Sequence, residues 1–389
     1  MIDVKNPKDC CGCTACASIC PHDAIAMLPD ALGFLYPKID ESKCVECGLC
    51  DKVCAFNSHY DISDNLDQPL AFAARHLDKK HLNTSRSGGA FIALSDYILE
   101  QGGVVYGAGW GDDFVVIHKR ATNKEERDEF KGSKYTQSNL TGIFRQVRQD
   151  LCSGKKVLFS GTGCQVAGLK SYIGKKQKDN LFLVDIVCHG VPSPYLWSDY
   201  LHFVEKKEHK KIIVVNFRDK AEKGWKAHYE SFTFDDGTKK YTSLFRELFF
   251  AHINLRYSCY NCHYCNLKRT GDVSLADYWG WERTNSEFNA DDKGCSLVLC
   301  NTEKGKVIFE AAKISLNTIQ ADLINITQPR LNEPSPMSPL RMNFEDNYVK
   351  YGFEYAVTHS GFMGWRYDLK CLKQKIRNRL IRLKRTIYK

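Results

Sequence analysis

Cys10, Cys13, Cys16 and Cys20 are spaced C-x2-C-x2-C-x3-C and run into Pro21; Cys44, Cys47, Cys50 and Cys54 repeat the spacing and are followed by Ala55. Thiolates at these intervals wrap a 4Fe–4S cubane: three close sulfurs take one face and a more distant one closes it. In this pattern the fourth cysteine of each run serves the other run's cluster. One cluster is therefore expected on Cys10, Cys13, Cys16 and Cys54, and the other on Cys44, Cys47, Cys50 and Cys20. The chemistry is one-electron transfer. Structural zinc more commonly uses two C-x2-C knuckles separated by a longer loop. Disulfides are disfavoured as well, because MIDVKNPKD lacks a basic-then-apolar leader and cysteines two apart suit metal better than bridges. The expectation is a cytoplasmic iron–sulfur protein.

Other cysteines also fall in telling places. Cys259, Cys262 and Cys265 form C-x2-C-x2-C, Cys164 lies in SGTGCQ at a strand-to-helix turn, and Cys188 follows the strand LFLVDIV. Strand ends are where α/β domains gather functional groups, so these segments can converge. A third 4Fe–4S cluster is the natural reading, with Cys259 and Cys262 as the close pair. The spacing alone also admits zinc or no metal. Cys295 and Cys300 read as core residues, and Cys11, Cys152 and Cys371 carry no role.

These groups need a scaffold. At 389 residues the chain suits a small module plus one large domain, and 43 % hydrophobic content is ordinary for a globular protein. No run of apolar residues is long enough to span a membrane. Between the cysteine runs, AIAMLPDALGFLYPKID reads as two short strands around a turn from Pro29 to Gly33, and NSHYDISDNLDQP reads as a linker. Helical patterns over 90–100, 141–151, 165–172 and 195–205 alternate with strand runs at 104–106, 114–118, 157–159, 181–187 and 212–217. Asp236-Gly237 marks a hairpin. The fold class is α+β or mixed α/β, with a sheet that is not wholly parallel. The expected units are a two-cluster module (1–57), a linker (58–69), a larger mixed-sheet domain (70–345) and a basic helical tail (346–389).

The net charge of +9 resides in the tail: residues 366–389 hold ten Lys or Arg against one Asp. The near-neutral remainder argues against nucleic-acid binding. Leu369, Leu372, Ile376, Leu380, Leu383 and Ile387 step by three or four, giving a basic amphipathic helix. Such a helix docks to a partner, lies on the inner membrane face, or packs on its own domain.

SRSGGAFIAL (85–94), GSKYTQS (132–138), FSGTGCQVAGLKSY (159–172), DIVCHGVPSP (185–194), NFRDKAEKGW (216–225) and CYNCHYC…DVSLADYWG (259–280) occur in this order. Together they resemble the beta subunits of coenzyme F-420 (deazaflavin) hydrogenases and dehydrogenases. The N-terminal module resembles bacterial two-cluster ferredoxins, and the joined architecture is similar to that of bacterial relatives associated with surface-polysaccharide gene sets. The resemblance implies a non-covalent FAD, a nearby 4Fe–4S cluster on Cys164, Cys188, Cys259 and Cys262, and electron exchange with a small redox partner. Cys265 is the reserve ligand. The chain departs from the pattern at Gly163, where relatives have proline, which loosens that turn.

Physical chemistry supports a flavin at several points. Ser87, Gly88 and Gly89 precede an apolar helix whose free N–H groups attract a pyrophosphate, although the same residues also serve a plain helix start. Lys134 offers a cation to a phosphate or to the flavin ring. Gly161, Thr162 and Gln165 offer hydrogen bonds to the isoalloxazine edge. Arg218, Lys220 and Trp225 can shape a pocket for an anion, while Asp277 and Trp279 also read as core or cap residues. No catalytic residue is assigned; His189 and Lys134 are candidates. The expected function is an iron–sulfur flavoprotein oxidoreductase relaying electrons between a ferredoxin-like protein and a small molecule, deazaflavin or another organic substrate. The alternative is an electron-transfer subunit docked on a larger enzyme, without a substrate of its own.

Overall fold

The computed structural model describes residues 2–56, 60–175, 177–365, 367 and 369. The expected basic tail helix falls almost wholly outside them. In the N-terminal module each cysteine run ends in a short helix, Ala15–Ile19 and Leu49–Lys52. Between them β1 (Ile25–Pro29) and β2 (Leu35–Ile39) pair antiparallel, as the sequence predicts. The two runs share backbone geometry. Gly12 and Thr14 in the first run, and Glu46 and Gly48 in the second, all have left-handed φ of 52–71°. These turns point backbone N–H groups inward, the arrangement that receives negative sulfur.

The large domain is built on an eight-stranded mixed sheet. Its strands are β3 (Asn65–His76), β4 (Val104–Trp110), β5 (Val116–Ala121), β6 (Val157–Thr162) and β7 (Leu181–Ile186), then β11 (Val273–Asp277), β12 (Ser296–Thr302) and β13 (Leu316–Ala321). The order is β13-β3-β12-β11-β7-β6-β4-β5, with β11, β7, β6 and β4 mutually parallel. The parallel strands are nearly continuous apolar runs because helices cover both faces. Ala90–Glu100 and Glu303–Ala312 cover one face, packing Leu94, Ile98 and Phe309 on Val105, Leu158 and Val298. Ile143–Cys152 and Gly163–Ile173 cover the other, where Phe144 and Leu169 pack on Phe159 and also on Cys11, Cys13 and Ala15 of the N-terminal module. β3 starts at Asn65, inside the stretch read as linker, because Asn65 still pairs with Thr302 on β12.

A second, antiparallel sheet of β8 (Ile212–Asn216), β9 (Glu230–Phe234) and β10 (Lys239–Thr242) packs around Trp197, Phe232 and Phe245. Leu32 and Phe34 of the N-terminal hairpin enter this same aromatic core. The carboxyl ends of β4, β6, β7 and β11 all lie at one sheet edge, where ligands of open α/β sheets bind. Among the described residues, no helix is long and apolar enough to cross a membrane.

Candidate redox centre

Cys10, Cys13, Cys16 and Cys54 line one cavity, together with Cys11, Ile2, Val4 and Met27. Burial pushes the Cys16 thiol well up, and the sulfurs of Cys13, Cys10 and Cys54 push it further. This is the ligand set expected for the first cluster. Cys20 and Cys50 share a second apolar group with Ile25 and Ile39, while Cys47 is exposed. Backbone N–H groups aim at these sulfurs: Gly12 to Cys10 (3.4 Å), Ala24 to Cys20 (3.4 Å) and Ile2 to Cys50 (3.3 Å). Hydrogen bonds of this kind tune cluster potentials. Among the described residues no three His, Cys, Asp or Glu side chains are placed to hold a single metal ion.

The four cysteines of the proposed third set also meet. Burial pushes the Cys188 thiol well up, with Cys259, Cys164 and Cys262 adding to it. Burial and then Cys262 push Cys259 up to about 12. Gly190 N–H donates to Cys188 Sγ (3.3 Å) and Val191 N–H to Cys259 Sγ (3.4 Å). Iron would convert such thiols outright to thiolates. Cys265 is buried beside Cys262, its hydrogen bond being the main cause that raises the Cys262 thiol. A buried ion pair frames the set: Asp185 accepts from Arg269 (2.9 Å), Thr270 Oγ1 (2.9 Å) and Gly271 N (3.0 Å), and Arg269 also donates to Ile186 O (3.0 Å). The strand end before Cys188 is thereby fixed to the segment after Cys265.

The two cysteine groups touch. Cys11, to which the sequence assigns no role, is buried, and the neighbouring Cys13 and Cys164 sulfurs push its thiol up. The Cys10–Cys11 doublet is its only signal in the sequence.

Arg86, Lys134, Arg218 and Lys220 gather into one cationic group, and Arg218 lines a small cleft with Tyr135, His228 and Arg246. Arg86 and Lys134 are half-buried, surrounded by protein yet in contact with solvent. Burial, then Arg218, lowers Arg86 to about 9; burial, then Arg86, lowers Lys134 to about 7. Lys134 Nζ donates to Glu129 O (2.6 Å) and lies 5.9 Å from the Trp110 ring. Arg218 pairs with Asp277, which also accepts from Trp225 Nε1 (3.1 Å), and Trp225 stacks on Trp279 at 4.3 Å. Lys220 is lowered to about 7 by burial, then by Arg86 and Arg218. It nonetheless donates to three carbonyls, Leu82 (2.8 Å), Ser87 (2.9 Å) and Lys293, which only an ammonium can satisfy at once. Asp219 and Glu129 are occupied by Lys239 and Lys119, so cations outnumber free acids here. Arg86 Nε and Arg218 Nε are buried donors with no partner among the described residues. Orphaned donors in a cationic crevice fit an anionic ligand such as a dinucleotide.

Other residues singled out in the sequence have structural duties. Gly88 N–H donates to Ser296 Oγ (2.9 Å), and Ser87 Oγ donates to Cys295 O (2.6 Å). Gly88 is pressed so close to β3 that a Cβ would stand 2.0 Å from Ala74 O, so sheet packing by itself requires this glycine. Gly89 caps Ala90–Glu100 in a left-handed conformation. Thr162 and Gln165 form a capping box for Gly163–Ile173, and Gln165 Nε2 donates to Ser138. Gly161 is half-buried near the end of β6, where a Cβ would stand 3.0 Å from Gln165 Oε1. His189 contacts His252 through Nε2 atoms at 2.7 Å, and burial, then His252, lowers it to about 3. Arg86 and Arg256 were missed in the sequence. Arg86 stands inside a motif of the family pattern, and Arg256 in none.

Residues 154–322 match the family that comprises the C terminus of the coenzyme F420 hydrogenase/dehydrogenase beta subunit. Residues 9–58 match the 4Fe-4S dicluster domain. Among solved structures, a chain of the F420-reducing [NiFe] hydrogenase complex from Methanosarcina barkeri is similar at 18 % identity and a TM-score of 0.47, over 75 % of this chain and 91 % of that one. No curated protein matches the sequence.

Proposed function

We propose that this chain, which joins a 4Fe–4S dicluster domain to the C-terminal domain of the coenzyme F420 hydrogenase/dehydrogenase beta subunits, is an iron–sulfur flavoprotein oxidoreductase. It would pass electrons between a ferredoxin-like partner and a small organic molecule, a deazaflavin or a substrate of surface-polysaccharide synthesis. One observation supports this reading: neighbouring cysteines lead from Cys54 and Cys16, through Cys13 and Cys164, to Cys188, Cys259 and Cys262 at the strand ends.

Cys10, Cys13, Cys16 and Cys54 would hold one cluster, Cys20, Cys44, Cys47 and Cys50 a second, and Cys164, Cys188, Cys259 and Cys262 a third. Arg86, Lys134 and Arg218 would hold the anionic part of FAD, with Gly161 and Thr162 at its rim. When bound, the clusters exchange single electrons, and the flavin converts single electrons into a pair. The chain's own share is position and charge. Asp277 holds Arg218 against Trp279. Because burial lowers both His189 and His252, the pair shares one proton between two Nε2 atoms and can hold it beside Cys188 without adding charge.

Protein purified without oxygen should contain about twelve irons and one flavin per chain, three four-iron clusters being expected. Cys259→Ser should leave about eight irons and both dicluster signals in electron paramagnetic resonance. Eight irons and no flavin in the wild type would instead support the electron-transfer subunit. That second reading is favoured by the exposed Val45 (59 %) and Leu49 (39 %) around Cys47, an apolar rim suited to docking.

A further inference from the structure

Arg256 is fully buried at 0 % exposure, three residues before Cys259, and its side chain reaches into the dicluster domain. Nε donates to Cys10 O (2.7 Å), one terminal nitrogen to Gln137 Oε1 (2.9 Å), and the other to Leu35 O (2.9 Å) and Cys10 Sγ (3.6 Å). The guanidinium lies 4.1 Å from the centre of the Tyr36 ring. Gly12, at φ +70°, leaves room for it: a Cβ there would stand 2.9 Å from a terminal nitrogen. The Arg256 carbonyl accepts the Cys259 N–H (2.9 Å). Among the described residues no carboxylate pairs with this cation. Burial works against its charge, and Cys10, Tyr36, Cys11 and Cys259 offset that burial.

We propose that Arg256 is a positioning residue that raises the reduction potential of the cluster on Cys10 above that of the cluster on Cys44, Cys47 and Cys50. Reduction adds one electron, with no bond made or broken, to a group already negative and cut off from water. Low dielectric makes that addition costly. The outer cluster has solvent at Cys47 to screen its charge. The inner one has instead a fixed cation with an N–H directed at a ligand sulfur. The electron therefore rests on the inner cluster, beside Cys164. A lysine would bring the charge but not the planar fork that binds Cys10 O, Leu35 O and Gln137 together. The inference rests on the ligand set proposed above and not on the flavin.

The test is a dithionite titration of the full chain followed by electron paramagnetic resonance, in the wild type, Arg256→Lys and Arg256→Gln. In Arg256→Gln the equilibrium constant for reducing one cluster should fall at least tenfold, 59 mV for one electron, while the other cluster keeps its potential. Arg256→Lys should fall in between. The signal that moves must be the one that Cys10→Ser alters. If Cys10→Ser alters a different signal, the ligand set fails; if Arg256→Gln retains its iron and moves no potential, the role of Arg256 fails. Should Arg256→Gln lose iron, the wild type labelled with 15N-arginine decides. A nitrogen coupling on the Cys10-dependent signal supports the proposal, and its absence overturns it.

Discussion

At the scale of single residues, the cleft is defined by cations that burial weakens. Lys134 is lowered to about 7 and Arg86 to about 9, in each case first by burial. A lysine lowered on folding is protonated in the unfolded chain and neutral in the folded one between about pH 7 and 10. The unfolded state then binds more protons, so this group's contribution to stability rises with pH across that window. Anion binding has the opposite sign, because an anion selects the ammonium. Affinity for the proposed flavin, measured by fluorescence titration, is expected to fall about fivefold from pH 7 to pH 8 as Lys134 loses its proton. Lys134→Gln should flatten that slope and leave the iron content unchanged. Affinity independent of pH would remove Lys134 from the site. The dicluster domain was legible in the sequence because a cubane dictates the spacing of its cysteines. Among the cations, Lys134, Arg218 and Lys220 were candidates from the sequence but Arg86 was not, and the field on each comes from residues far away in the chain.

At the scale of elements, local chemistry predicted most of the scaffold. The 25–39 hairpin, the buried parallel strands and the helix after SGTGCQ all appear where apolar pattern and capping residues place them. What the sequence could not separate was ligand binding from packing at the same residues. Gly88 and Gln165 look like cofactor contacts in a motif, yet one is forced by the approach to Ala74 and the other completes a capping box. Gly88→Ala tests the distinction. Its Cβ would meet backbone on β3 and β12, which cannot step aside as a side chain does. We expect a loss of about 3 kcal/mol, the upper end of overpacking costs, in thermal unfolding without added flavin. A variant that is normal without flavin and defective only with it would assign the glycine to the ligand instead.

At the scale of the whole molecule, the dicluster domain is built into the larger one rather than tethered to it. Arg145 donates to Ser18 O (2.9 Å), Cys20 O (3.0 Å) and Asp23 (2.6 Å), Gln137 to Cys11 O (2.8 Å), and Ser193 to Leu32 O (2.6 Å). No sequence signal announces this embedding, because each tie joins residues more than a hundred positions apart. Its consequence is a short passage from Cys13 across the helix Gly163–Ile173 to Cys164. At Gly168 on this helix a Cβ would stand 2.7 Å from Cys13 Sγ. Gly168→Val should therefore wedge the cysteine groups apart without removing any ligand, at a cost of about 1–3 kcal/mol. In stopped-flow mixing with a reduced one-electron donor, its dicluster domain should fill as fast as in the wild type while flavin reduction lags. A variant with full iron and an unchanged flavin rate would mean that electrons reach the cleft by another path, leaving the contact between Cys11, Cys13 and Cys164 as packing alone.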